Sequence, residues 1–210
     1  MSDNVIGYYF SVVSPYTYMA QERFLNLLLK YENVAPKVSY KPADILKIFS
    51  ETGGLPVSKR SPARQAYRMT ELKRWKEALN IDFNPQPKYF PVPDGDAQKV
   101  VVAAIQAGHD PGKVALGFMR ACWAEERDVS DADTIKSIVQ DAGLNPDELI
   151  PASQTDATQA QYDQNTAEAI ERGVFGAPTW ILEGELFWGQ DRLHFLERAL
   201  MKSSGHVPDI

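Results

Sequence analysis

The feature that most constrains the fold is an apolar run near the start of the chain that passes directly into an amphipathic stretch. Residues 5–13 are almost all apolar and rich in aromatic and β-branched side chains, which is typical of a strand covered on both faces in a parallel sheet. Residues 16–31 carry apolar side chains at helical spacing, and residues 37–41 alternate like a short strand. The chain is therefore predicted to begin with a right-handed β-α-β unit.

The end of the chain is predicted to return to strands. Thr179–Leu182 and Glu185–Trp188 are predicted strands around the tight turn Glu183-Gly184, and a helix is expected to follow over residues 190–202. A long polar helix over residues 155–172 precedes the strands and stops at a glycine. This part of the chain is therefore predicted to be α-β-β-α.

The middle of the chain is predicted to be helical, with an irregular proline-rich stretch over residues 84–96. Ser130, with Asp133 three residues later, is predicted to cap one of the helices, and residues 146–151 are predicted to form a short turn. The predicted helices span residues 62–79, 98–107, 111–126 and 131–142.

Together these elements predict an α/β fold in which a thioredoxin-like domain is interrupted by an inserted all-helical domain. The order is β-α-β, then the helical block, then α-β-β-α. Residues 1–45 and 161–210 are predicted to form the thioredoxin-like domain, and residues 46–160 are predicted to form the inserted helical domain.

Charge and cysteine content argue against several classes of function. The net charge of −6 over 210 residues opposes nucleic-acid binding, which requires basic surface to neutralise phosphates. The single cysteine, Cys122, cannot form an intrachain disulfide, and the three scattered histidines lack metal-ligand spacing, so no metal is expected. Neither a secretory signal nor an apolar run of about 20 residues is visible, so we expect a cytoplasmic protein without a membrane span.

The junction between the first strand and the first helix carries a serine, in the segment Ser14-Pro15-Tyr16-Thr17. A helix N-terminus at the carboxyl end of a strand presents free N–H groups and partial positive charge, which stabilise anions, including thiolates. Thioredoxins hold Cys-x-x-Cys at this place, whereas this segment has no sulfur and cannot exchange disulfides. Two interpretations stay open. Ser14 either caps the helix with Pro15 at its first position, or donates a hydrogen bond to the anion of a ligand.

Two later stretches are further candidates for a binding site. Pro178 stands just before a predicted strand, where a cis peptide bond would expose the backbone of Ala177 to an extended peptide ligand. The alternative is a trans proline at a strand edge. Gln190 and Asp191 lie at the start of the predicted last helix, whose N–H groups could hold a carboxylate while Asp191 holds an amino group. The alternative there is that Asp191 only interacts with the helix dipole.

These stretches, in this order, resemble the family of 2-hydroxychromene-2-carboxylate isomerases and kappa-class glutathione transferases, within the DsbA-like thioredoxin superfamily. Ser14-Pro15-Tyr16 resembles its Ser-Pro-Tyr signature, and residues 173–179 resemble its Gly-x-Phe-Gly-x-Pro segment. Residues 187–193 are similar to the isomerase form of its last motif, and residues 89–92 and 123–130 are also similar to family segments. The resemblance covers nearly the whole chain.

The resemblance implies a homodimer with glutathione as cofactor and a small-molecule substrate. Ser14 would be the catalytic residue and hydrogen-bond the glutathione sulfur, Ala177 would pair with the cysteinyl backbone, and Gln190 with Asp191 would bind the γ-glutamyl end. The implied activity is cis–trans isomerisation of an aromatic 2-oxo acid through reversible thiolate addition. The alternatives are a kappa-type transferase and a non-catalytic binding protein. The implied glutathione-binding residues are Ser14, Pro15, Tyr16, Gly54, Ala177, Pro178, Gln190 and Asp191.

Two positions depart from the family pattern, because Ser11 stands where the family has Asp and Gly54 where it has Asn. Lys59 and Arg64 are candidates to pair with the glycyl carboxylate of glutathione instead. A further cation, which the sequence does not single out, is expected to hold the carboxylate of the substrate. The candidate apolar walls, each with core packing as the alternative role, are Tyr89, Phe90, Trp123 and Trp188.

The stretch that contains these cations is short and basic. It is balanced locally by Glu71, so we interpret it as a solvated helix face. A site for a small anionic ligand is the alternative interpretation. Its basic residues are Lys59, Arg60, Arg64 and Arg68.

Overall fold

The computed structural model describes residues 5–32 and 36–203, so the outer limits of the predicted thioredoxin-like domain lie outside the described residues. The described strands form one mixed sheet in the order β2-β1-β3-β4. The first two strands are parallel, and the other two neighbouring pairs are antiparallel. The strands are β1 (Val5–Phe10), β2 (Lys37–Pro42), β3 (Thr179–Leu182) and β4 (Glu185–Trp188).

Helices cover the sheet and form the block between β2 and β3, and single-turn 3-10 helices occur at Val57–Lys59 and Gln190–Arg192. This element order confirms the predicted thioredoxin fold with additional helices. The boundaries of the inserted domain at residues 46 and 160 remain a prediction. The helices are α1 (Pro15–Lys30), α2 (Ile45–Thr52), α3 (Pro62–Leu79), α4 (Gly95–Gln106), α5 (Pro111–Trp123), α6 (Ala132–Asp141), α7 (Pro146–Ser153), α8 (Asp156–Glu171) and α9 (Leu193–Ser203).

The strand β1 is shorter than predicted because the chain turns out of the sheet after Phe10. The Ser14 N–H donates to the Ser11 carbonyl at 3.1 Å, and the Val13 N–H donates to the Ser11 hydroxyl at 3.3 Å. Gln98, a buried residue of α4, accepts from the Val12 N–H at 3.3 Å. The turn that places residue 14 at the start of α1 is therefore held partly by the helical block.

Other differences from the predicted elements have local causes. Asp131, and not Ser130, caps α6, since its carboxylate accepts from the Thr134 N–H at 2.9 Å. The predicted turn at residues 146–151 is the helix α7, with Asn145 as its N-cap and a proline inside it. The helix α2 was not predicted as a separate element. It begins after Asp44, whose side chain accepts from two backbone N–H groups of the first turn.

Stacked and tilted aromatic rings pack the sheet against α1. The ring of Tyr8 stacks on those of Phe10 and Trp180, with centroids 4.6 and 5.4 Å apart, and the Phe24 ring of α1 lies 5.0 Å from Tyr8. Cys122 is buried in the same core, and burial raises the pKa of its thiol to about 12, so it is unreactive. None of the helices described here has the length and apolarity needed to cross a membrane.

Candidate functional site

A cavity of about 1370 Å³ lies between the thioredoxin-like part of the chain and the helices α2 and α3. It brings together all but one of the residues predicted to bind glutathione. The exception is Pro178, which does not line the cavity but fixes the backbone of its neighbour. The predicted residues on the cavity wall are Ser14, Pro15, Tyr16, Gly54, Ala177, Gln190 and Asp191.

Ser14 caps α1 and at the same time faces the loop before β3. Its hydroxyl accepts from the Thr17 N–H at 3.3 Å and donates to the Ala177 carbonyl at 3.3 Å. The backbone of Ser14 is extended, and Pro15 occupies the first helical position. The capping interpretation is therefore confirmed. The hydroxyl also lines the cavity, where it could donate its hydrogen bond to an acceptor atom of a ligand instead.

The peptide bond between Ala177 and Pro178 is cis, as predicted. The Gly189 N–H donates to the Pro178 carbonyl at 2.9 Å and thereby fastens this loop to the end of β4. Gly176 is required beside it, because a Cβ there would lie 2.4 Å from the indole nitrogen of Trp188. The exposed indole thus covers the backbone next to the cis peptide and forms an apolar wall of the cavity.

The residues at the end of β4 are arranged differently from the prediction. Gln190 begins a single 3-10 turn and not the long helix, since α9 starts at Leu193. Gln190 is buried, and its side-chain oxygen accepts from the Arg23 guanidinium at 2.7 Å. Asp191 pairs with its neighbour Arg192. Gln190 can therefore offer a ligand its amide nitrogen, and Asp191 a carboxylate that already has one cation beside it.

Gly54 lines the cavity, but the space that a side chain would take is filled. A Cβ on Gly54 would lie 2.3 Å from a ring carbon of Phe49. The ring of Phe49 therefore fills the space beside Gly54 and makes this part of the wall apolar.

A carboxylate does lie beside Ser11, and it belongs to Asp94, which directly precedes α4. The buried Ser11 hydroxyl donates to the Asp94 carboxylate at 2.8 Å. Burial raises the pKa of Asp94 to about 6, while the hydrogen bond from Ser11 opposes that shift. The sequence did not single out this acid, because it lies in the stretch predicted to be irregular and the helix was predicted to begin only at residue 98.

Of the four aromatic residues predicted as candidate walls, two line the cavity and one is packed in the core. Phe90 and Trp188 line the cavity, whereas Tyr89 does not. Trp123 is fully buried and stacks on the Phe83 ring with centroids 5.2 Å apart, so its role is core packing. The ring of Phe90 lies 4.7 Å from that of Trp123 and thus connects the wall to the core.

The basic stretch on α3 and the turn before it is part of the cavity wall. Lys59 and Arg64 are exposed at its rim, and the Arg60 guanidinium donates to the Leu55 carbonyl at 2.8 Å. Arg68 differs, since it is only 8% exposed. The interpretation as a solvated face is therefore wrong for Arg68.

The family model described as a DsbA-like thioredoxin domain matches residues 5–201. The chain belongs to this family. Within it, the resemblance carried by Ser14-Pro15-Tyr16 and the two later motifs is confirmed by curated relatives of both kinds.

A 2-hydroxychromene-2-carboxylate isomerase of Sphingobium xenophagum is 29% identical over 199 residues, covering 93% of this chain and 97% of the relative. Glutathione S-transferase kappa 1 of Caenorhabditis elegans is 26% identical over 219 residues, covering 97% and 93%. A solved structure of a 2-hydroxychromene-2-carboxylate isomerase has a TM-score of 0.81 at 24% identity, with 95% of each chain covered. This DsbA-like chain therefore shares its fold with that isomerase.

Proposed function

We propose that the protein is a glutathione-dependent cis–trans isomerase that acts on an aromatic 2-oxo acid, of the 2-hydroxychromene-2-carboxylate to trans-o-hydroxybenzylidenepyruvate type. The observation that carries the proposal is the Ser14 hydroxyl, held at the N-terminus of α1 opposite the cis peptide of Ala177. The relatives named for this isomerase, which match the chain over most of its length, support the choice of reaction.

The residues around Ser14 fit a peptide that carries a thiol. The bond from the Ser14 hydroxyl to the Ala177 carbonyl measures 3.3 Å, which is long for a bond between two oxygens, so a better acceptor can replace it. The Ala177 carbonyl is then free to accept from a peptide N–H, and the hydroxyl is free to donate to sulfur. Gln190 and Asp191 would hold the γ-glutamyl end, with Lys59 and Arg64 at the rim for the glycyl carboxylate.

The chain itself lowers the pKa of a thiol at this position. A hydrogen bond to a charged acceptor contributes roughly 1.5–3 kcal/mol, and a helix N-terminus adds about 0.3–1 kcal/mol. At about 1.36 kcal/mol per pKa unit, Ser14 and α1 would lower a thiol pKa of about 8.5 by roughly one to three units. Bound glutathione would supply a thiolate that adds reversibly to the substrate's double bond, so that the bond can rotate.

The chain's own sulfur does not compete for this role. Cys122 is the only cysteine of the sequence, and burial raises the pKa of its thiol to about 12. A disulfide-exchange reaction of the kind that two active-site cysteines perform therefore has no residues to carry it.

A kappa-type transferase is the second candidate, and the similarity to the nematode kappa enzyme favours it. In that case glutathione leaves as part of the product and is not regenerated. A non-catalytic binding protein is the third candidate, because Phe49 fills the place of the family's asparagine at Gly54. A homodimer is part of the proposal in each case.

The deciding experiment incubates the protein with 2-hydroxychromene-2-carboxylate and a small amount of glutathione. We expect isomerisation that requires glutathione and leaves the total thiol concentration unchanged. Loss of thiol in step with product would establish the transferase. Absence of glutathione binding at millimolar concentration in calorimetry would contradict both enzymes and favour the binding protein.

A further inference from the structure

Arg68 projects from α3 into the cavity and has no anionic partner in the described part of the chain. It is only 8% exposed, yet it lines the cavity wall. Glu71, the acid one turn further along α3, forms an ion pair with Arg74, with 2.7 Å between its carboxylate oxygen and the guanidinium nitrogen. The guanidinium of Arg68 lies over the ring of Phe90, with 5.5 Å from the guanidinium carbon to the ring centroid.

Two other partly buried cations in the described part of the chain have polar partners. The ammonium group of Lys41 lies 2.6 Å from the Glu168 carboxylate. The Arg23 guanidinium donates to both oxygens of Gln190, at 2.7 and 3.0 Å. A buried charge without such partners is costly, so the position of Arg68 is not explained by stability.

The surroundings of Arg68 suit a carboxylate on an aromatic molecule. Its guanidinium lies over an aromatic ring, and its N–H groups form a fork that binds a carboxylate in a bidentate manner. Arg68 also interacts with the half-buried phenol of Tyr16, which is two residues from Ser14 in the chain. Burial raises the pKa of this phenol, and the positive charge of Arg68 opposes that larger effect by lowering it. The cation therefore belongs to the same end of the cavity as Ser14.

We propose that Arg68 binds the carboxylate of the aromatic 2-oxo acid and so selects this substrate class; the inference rests on the proposed function. The exposed Lys59 and Arg64 at the rim would suit the glycyl carboxylate of a peptide, which is hydrophilic and can stay in contact with water. Arg68 lies deeper, beside the ring of Phe90, where the ring of an aromatic acid can be buried together with its carboxylate.

The test is a binding measurement that does not require turnover. Calorimetry would compare phenylpyruvate with its methyl ester on the unaltered protein, Arg68→Gln, Arg68→Lys and the control Lys73→Gln. Lys73 is exposed on the same helix and does not line the cavity. We expect Arg68→Gln to weaken phenylpyruvate binding about 10- to 100-fold, as loss of a charged hydrogen bond implies. Arg68→Lys should be intermediate, and Lys73→Gln should change affinity by less than about twofold.

The ester and glutathione separate a binding role from a structural one. The ester should bind equally to the unaltered protein and to Arg68→Gln, and glutathione affinity should not change. Equal affinity of acid and ester for the unaltered protein would overturn the proposal without any variant. A loss of glutathione affinity with unchanged phenylpyruvate binding would also overturn it, by assigning Arg68 to the glycyl carboxylate.

Failure of the proposed function has a different signature. If Arg68 discriminates acid from ester but no isomerisation occurs with glutathione, the assignment of Arg68 stands and the reaction is wrong. Thermal unfolding adds an independent check, because removal of an unpaired buried charge should leave the melting temperature of Arg68→Gln unchanged or raise it. A lowered melting temperature together with unchanged binding would show a structural role and overturn the assignment.

Discussion

The two walls of the cavity are built in different ways. On the thioredoxin-like side, Ser14 and Ala177 present a short hydroxyl and backbone groups, and the ends of buried strands hold them in place. On the side of α2 and α3, the wall consists of larger side chains, among them Phe49 and Arg68. Under the proposed function the two walls would have different tasks. The first would bind the thiol peptide, and the second would select the molecule that reacts with it.

The largest expected effect comes from removing the hydroxyl of the first wall. Ser14→Ala should lower turnover about 10- to 100-fold, because a hydrogen bond to a charged sulfur contributes roughly 1.5–3 kcal/mol. The loss of the cap should cost only about 1 kcal/mol of stability. Steady-state rates and denaturant unfolding measure the two effects separately.

A matched control for this substitution is Ser61→Ala. Ser61 also caps a helix whose first residue is proline, but it does not line the cavity. It should lose similar stability and keep full turnover. If both variants lost turnover equally, or neither did, Ser14 would be only a cap.

A second prediction concerns the contact that connects the first wall to the helical block. Asp94 reaches from the start of α4 to Ser11, and burial raises its pKa from 3.8 to about 6. Because the pKa of this carboxyl is higher in the folded state than in the unfolded state, its contribution to stability is fully present below about pH 4 and is lost as the pH rises through about 6. Asp94→Asn should therefore be more stable than the unaltered protein by about 2–3 kcal/mol at pH 7, with little difference at pH 4.

Denaturant unfolding of the unaltered protein and Asp94→Asn between pH 4 and pH 8 measures this dependence. Ser11→Ala, which removes the donor and keeps the acid, is the companion variant. A stability difference that shrinks as the pH rises would contradict the assignment of a raised pKa to Asp94.

A third prediction concerns the packing of the second wall. Gly54→Asn should lower the free energy of unfolding by about 1–3 kcal/mol, because its Cβ would overlap the Phe49 ring. The double variant Phe49→Ala/Gly54→Asn should have room for the amide and should bind glutathione more tightly than Phe49→Ala alone. Gly54→Asn with unchanged stability would show that Phe49 moves aside easily and does not define the wall.

The first wall could be predicted from the sequence because its signals are local. The apolar strand, the serine before a proline at a helix start, and the Glu183-Gly184 turn each lie within a few residues of the structure they produce. Ser14, Ala177 and their surroundings were therefore expected where the structure has them. The cis peptide also needed the fold context, since most prolines are trans.

Other features of the molecule could not be predicted, because they depend on contacts between distant residues or on depth of burial. Ser11 meets Asp94 across 83 positions of the chain. The basic residues of α3 look alike in sequence, and only the packed structure distinguishes the buried Arg68 from its exposed neighbours. The short helices α2 and α7 were missed or taken for a turn, because eight residues carry too little periodicity.

The central claim is that Ser14 and the N-terminus of α1 keep the thiol of a bound peptide ionised. The most direct measurement is the pKa of glutathione bound to the protein, followed by the ultraviolet absorbance of the thiolate as the pH is varied. The account predicts a value roughly one to three units below the ordinary thiol pKa of about 8.5, and a return toward that value in Ser14→Ala. A bound thiol with its ordinary pKa, or one whose lowered pKa is unaffected by Ser14→Ala, would contradict it.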